Sequence, residues 1–215
     1  MDHYICPVSG ESFQEERINH WTHLVGFLLS IIGFPFLIYY SSLDGDKWFI
    51  ASNFIYGTSL ILLYLASTYY HGCDALDRKR TMQIVDHACI YLLIAGSCTP
   101  FALGPLRDSH GWTILYIEWG LATAGIFLKI VAFDRFQVIS LVAYLVMGWL
   151  VVFIWPVLME TLSTSSISLL MAGGAFYTFG TIFYLWEKLP YNHAVWHLFV
   201  LSGSICHYFA ILGMA

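Results

Sequence analysis

Residues 136–157 read FQVISLVAYLVMGWLVVFIWPV, a run of 22 positions without Asp, Glu, Lys, Arg or His. At a rise of about 1.5 Å per residue, roughly 20 apolar residues suffice to cross ~30 Å of hydrocarbon. The run is too long for a transmembrane strand of about 9–11 residues and lacks strict alternation, so it predicts a membrane-spanning helix. Outward from it the same pattern recurs near 22–41, 48–70, 82–103, 111–132, 166–186 and 194–214. The predicted fold is all-α: one seven-transmembrane helix bundle over 22–214, preceded by an N-terminal tail at 1–21. No linker, low-complexity tract or convincing repeat divides it.

Composition agrees. Of the 215 residues 59% are hydrophobic and 11% charged, against about 25% charged in an ordinary soluble domain. Much of the surface therefore meets something other than water, which excludes a water-soluble enzyme and a disordered chain. The net charge of −5 comes from 9 basic and 14 acidic residues, leaving no basic patch for nucleic acid. The five cysteines (Cys6, Cys73, Cys89, Cys98, Cys206) form no CxxC pair and read as small hydrophobes rather than a disulfide framework.

The first 17 residues carry four acids and only Arg17 as a base, unlike a cleavable signal peptide, so the first span serves as the insertion signal. Arg17, Arg78, Lys79, Arg80, Lys129, Arg135 and Lys188 fall on one side of the predicted bundle, and Lys47 and Arg107 on the other. The positive-inside rule then puts the N-terminus in the cytoplasm and the C-terminus outside a cell membrane. Aromatic residues such as Trp21, Trp48 and Trp112 sit where interfacial anchors belong, and Pro35, Pro100 and Pro156 where kinks would fall.

A charge at mid-bilayer costs roughly 2.5–3.5 kcal/mol on insertion scales, so charges at that depth need reasons. Lys129 stands near the cytoplasmic end of its span and can snorkel. Glu118 stands about two turns below the outer surface with no partner visible in the sequence; packing and functional roles both stay open. Asp86 is distinguished by its company. The second span ends inward at Ser67-Thr-Tyr-Tyr-His71, the third begins with Asp86-His87, and the seventh begins with His193-Ala-Val-Trp-His197, so all fall in the cytoplasmic leaflet.

His193 and His197, four residues apart, project from one helix face about 6 Å apart, a spacing suited to a metal ion. Ala194 stands where a zinc protease of the HExxH type has its Glu. His71 is the natural third ligand, with His23 or His87 as substitutes. Three imidazoles and an open fourth place suit Zn2+ in a catalytic role. Asp86 would then act as general base beside the site, and Ser67, one turn deeper than His71, would bond a ligand or water. A histidine pair near an interface is also often plain hydrogen-bonded structure. His207 reads as packing, and His3, His20 and His110 as solvated.

At these positions the chain resembles the hemolysin III family, the bacterial branch of the PAQR (progestin and adipoQ receptor) seven-helix proteins. The resemblance rests on Glu16-x-x-Asn19-x-x-Thr22-His23, Ser67-x-x-x-His71, the stretch from Asp86 to Phe101, and His193-x-x-x-His197, in order along the chain. It implies zinc held by His71, His193 and His197, with Asp86 and Ser67 beside it, and a likeness to alkaline ceramidases. Three functions follow as expectations: a zinc-dependent hydrolase of a lipid amide or ester, with a membrane lipid as substrate or ligand; a non-enzymatic membrane sensor or regulator with structural zinc; or a pore-forming hemolysin. The absence of ionisable Asp, Glu, Lys, Arg or His from two spans argues against the pore. No protein partner is implied.

Overall fold

The computed structural model describes residues 5–214, and the chain is helical along nearly all of that length. Helix α1 (Phe13–Ser41) opens on a capping box: the Ser12 hydroxyl accepts from the Glu15 amide while the Glu15 carboxylate accepts from the Ser12 amide. It therefore starts nine residues before the expected span at 22, within the expected tail. Helix α2 (Lys47–Gly72) is capped by Asp46, whose carboxylate accepts from the Trp48 amide at 3.0 Å. The same carboxylate accepts from Arg107 at 2.6 and 2.8 Å, tying the start of α2 to the turn after the third helix. Helix α3 spans Leu76–Leu103 and contains Pro100; α1 contains Pro35.

Beyond α3, a short π-helical turn leads into α4 (Trp112–Ala132), and a 3-10 turn at Phe133–Phe136 leads into α5 (Gln137–Gly148). The span expected as one helix at 136–157 is broken: α5 stops at Gly148, a 3-10 segment covers Leu150–Ile154, and α6 (Trp155–Thr161) restarts with Pro156 in its first turn. Proline fits a first turn because no intrahelical amide is needed there. Helices α7 (Thr164–Leu185) and α8 (Asn192–Leu212) complete the chain.

Six helical stretches among the described residues are long and apolar enough to cross a membrane. One of them, Arg107–Thr161, runs 55 residues and holds both the expected 111–132 and 136–157 spans. Within it the chain doubles back. The Lys129 ammonium donates to Gln137 across the turn at 2.7 Å, and further along Ala122 of α4 and Met147 of α5 share one buried cluster with Tyr91 and Ala95 of α3.

Polarity is distributed opposite to that of a soluble protein. Ile32, Phe127 and Phe153 are exposed, whereas Asn19, Ser52, Asn53 and Ser67 are fully buried. That arrangement suits apolar surroundings, where lipid solvates the large side chains and polar groups turn inward. The chain is a multi-pass membrane protein. Helix contacts lean on small residues: a Cβ on Gly125 would lie 2.3 Å from the Tyr91 ring, and one on Gly57 2.2 Å from the Phe34 ring.

Two sequence expectations are corrected. Lys129 does not snorkel: it is 1% exposed, bonded to Gln137 and 4.8 Å from the Phe133 ring centre. A partner supplied by the next helix lets the ammonium stay inside. His20 is only partly solvated; its Nδ1 lies 2.9 Å from the Thr68 carbonyl, against Gly72. His110 is exposed, and His3 lies outside the described residues. All five cysteines are free thiols.

Candidate metal centre

The end of α2 and the start of α8 bring three histidines together. His71 occupies the last turn of α2; His193 and His197 occupy the first two turns of α8. One ring nitrogen from each lies within 4.8 Å of the others. The ring centres stand 4.6 Å apart for His193 and His197, and 5.0 Å from His71 to each of them. His71 and His197 are buried and His193 is partly so.

Two of the three rings, His71 and His197, are held by hydrogen bonds to neighbours. The His71 Nδ1 is 2.8 Å from Glu16 Oε2. A carboxylate can only accept, so the ring proton sits on Nδ1. The opposite nitrogen, Nε2, is buried and has no hydrogen-bond partner among the described residues. The His197 Nδ1 lies 3.3 Å from the Asn19 carbonyl and 3.0 Å from the Thr22 hydroxyl, which itself donates to that carbonyl at 2.8 Å. This again assigns the proton to Nδ1 and leaves Nε2 for another task. A ring held by one nitrogen to a carboxylate or carbonyl, with the other bare, is how metal-binding histidines are usually supported. The donor set therefore fits a divalent ion that prefers imidazole nitrogen.

Glu16 also holds Lys79, whose ammonium sits 2.9 Å from Oε1 and donates to the Tyr70 carbonyl at 3.0 Å. Both partners are buried. The Ser9 hydroxyl donates to the same Glu16 oxygen, so a short N-terminal hook closes over this side. That hook is tied by Cys6 N–H donating to Glu11 O and Gly10 N–H donating to Cys6 O, and Gln83 of α3 donates to the Val8 carbonyl. The start of α8 is pinned by α1: Tyr191 takes a left-handed φ of 58° and its amide donates to the Glu15 carboxylate.

Ser67 and Asp86 are buried and line one cavity of about 160 Å3 together with His193 and His197. His71 lines a separate recess on the hook side, with Glu16 and Lys79. Neither substitute ligand joins the trio. His23 stacks on His197 with ring centres 3.4 Å apart, both its nitrogens unpartnered among the described residues. His87 packs on Phe133 and lines the cavity. His207 also lines the cavity, its Nε2 3.3 Å from the Leu170 carbonyl.

Residue chemistry alone did not single out Glu16, Asn19 and Thr22, which entered only through the family pattern. The signal was present: polar residues at intervals of three share one face of α1, and that face backs onto the histidines.

A helical membrane bundle with a three-histidine cluster at one end of an internal cavity is the class that fold and site define. The chain belongs to the haemolysin-III-related family, whose model matches residues 11–208. It is 46% identical to the hemolysin-3 homolog of Bacillus subtilis (strain 168) over 94% of each chain. It is also 46% identical to hemolysin-3 of Bacillus cereus, over 93% of this chain and 91% of that one. The human monocyte to macrophage differentiation factor is 31% identical over 92% of this chain and 83% of its own length.

Proposed function

We propose that the protein is a zinc-dependent intramembrane hydrolase of a lipid amide or ester. The observation that carries this reading is the convergence of His71, His193 and His197, two of them bordering the cavity that Asp86 and Ser67 also line. Zinc held by three imidazoles would supply Lewis acidity toward a carbonyl and a water acidified to near neutral pH.

The chain's own residues would do the rest. Glu16 and Asn19 hold the His71 and His197 rings in the tautomer that presents Nε2. Asp86 takes a proton and hands it to the leaving group, and the Ser67 hydroxyl orients the polar end of the substrate. The apolar helix faces around the cavity receive the acyl chain and keep bulk water out. The test is a panel of lipid amides and esters offered to the purified protein before and after metal depletion. Turnover lost on depletion, restored by zinc and absent from Asp86→Asn supports the reading; turnover indifferent to both overturns it.

A second reading is favoured by His23. Its ring lies against His197 with both nitrogens unpartnered among the described residues, so a small rotation could supply a fourth ligand. Four protein ligands mark a structural zinc site, and the protein would then be a sensor or regulator. His23→Ala distinguishes them, weakening zinc retention in the second case and leaving it intact in the first.

We further propose that the chain crosses the membrane seven times with its N-terminus cytoplasmic. This topology is supported by the Lys and Arg asymmetry and by the reversal at Phe133–Phe136. A similar Arabidopsis thaliana protein, 25% identical, is named heptahelical. A reporter fused after residue 215 that is active only outside the cytoplasm tests it.

A further inference from the structure

The cavity has a second polar end. Away from His193 and His197 its wall includes Cys98, Phe101, Leu106, Ile114 and Ile154 beside Glu118 of α4, with Ser97, Tyr177 and His207 on the same lining. Glu118 is 1% exposed, and its Oε2 has no hydrogen-bond partner among the described residues. The one lysine on the cavity wall, Lys129, is eleven residues along the same helix, about 16 Å away at 1.5 Å per residue, and is bonded to Gln137. It cannot serve as the counter-charge.

The depth of Glu118 is fixed by its neighbour: the Trp119 indole donates to Thr99 at 3.1 Å. Thr99 lies thirteen residues beyond Asp86 on α3, about 20 Å by the same rise. The cavity thus carries polar groups at both ends, and its wall between mixes apolar side chains with the polar groups of Ser97, Tyr177, Thr178 and Thr181. A carboxyl group at hydrocarbon depth without a partner is unfavourable and marks a functional position.

We propose that Glu118 is a ligand-binding subsite that accepts a hydrogen bond from a hydroxyl at the far end of a long-chain lipid whose polar head lies at the histidine end. This rests on the proposed lipid-binding role of the cavity, and it narrows the substrate class to chains hydroxylated near their terminus. An ordinary alkyl chain gives Glu118 nothing to pair with; a terminal hydroxyl does.

The test is binding of hexadecanoic acid against 16-hydroxyhexadecanoic acid to the full chain in detergent, by ligand displacement. The hydroxylated acid should bind wild type about tenfold more tightly, the usual worth of one buried hydrogen bond. Glu118→Gln keeps an acceptor oxygen and should keep the preference. Glu118→Leu should lose it while binding hexadecanoic acid at least as well. Equal affinity of the two acids in wild type, no binding of either, or a preference that survives in Glu118→Leu would overturn the subsite. No turnover is read, so an inert metal centre leaves this result standing, and failure here leaves the metal test untouched.

Discussion

Glu16 Oε2 and His71 Nδ1 lie 2.8 Å apart, both side chains buried, so that a carboxylate from α1 orients a histidine at the end of α2. This contact links the N-terminal hook, the Lys79 ammonium and His71 in one chain of hydrogen bonds and ion pairs. Supporting contacts of this type tune affinity more than they create it. Glu16→Gln should therefore weaken metal binding by about 10–100-fold; because it also leaves the buried Lys79 ammonium without its carboxylate, the comparison is made in a Lys79→Met background. Competition with a calibrated zinc chelator measures this, and unchanged affinity would show that His71 needs no orienting partner.

The Lys79–Glu16 pair predicts a stability asymmetry. Removing one member of a buried pair leaves an uncompensated charge, typically a loss of about 3–5 kcal/mol. Lys79→Met should lower Tm strongly in detergent, and Glu16→Gln in the same chain should recover part of that loss. Additive losses in the double variant would count against the coupling.

Packing between α3 and α4 gives a prediction with an internal control. A Cβ on Gly125 meets the Tyr91 ring at 2.3 Å, whereas nothing lies within 4 Å of one on Gly120. Overpacking costs about 1–3 kcal/mol. Gly125→Ala should reduce thermal stability and Gly120→Ala should not; similar Tm values for the two would contradict the tight approach.

The hook predicts a pH dependence. Burial, reinforced by the charges of Glu15 and Glu16 and opposed by Lys79, raises the Glu11 carboxyl to about 7. The folded state thus binds this proton more tightly than the unfolded chain, whose carboxyl titrates near 4.5. Stability from this group falls as pH rises from about 4.5 to about 7 and is recovered on acidification. Tm of Glu11→Gln should be flatter across that window and exceed that of wild type at pH 8. Parallel curves for the two proteins would exclude Glu11 as the source.

Much of this architecture is legible in the sequence because lipid imposes a simple rule: long apolar helices with polar groups turned inward. The runs that became α2, α7 and α8 needed little more than hydropathy, and the i, i+4 spacing of His193 and His197 fixed one face of the centre. The break between α5 and α6 was not legible, since the whole stretch is apolar and Gly148 and Pro156 could each have been absorbed in one kinked helix. The early start of α1 was hidden by its charges, although Ser12 and Glu15 spell a capping box. Lys129 looked like a snorkelling residue because its partner, Gln137, comes from the following helix. Glu16 looked like tail charge; only the return of α2 and α3 past α1 shows that it lies behind His71.

The most direct test is the metal content of detergent-purified protein by elemental analysis, wild type beside His71→Ala and His193→Ala. Wild type should carry about one zinc per chain, as a single three-histidine site requires, and both variants should lose it. Wild type that carries no metal after purification with zinc present, or variants that retain it, would contradict a zinc centre at these histidines.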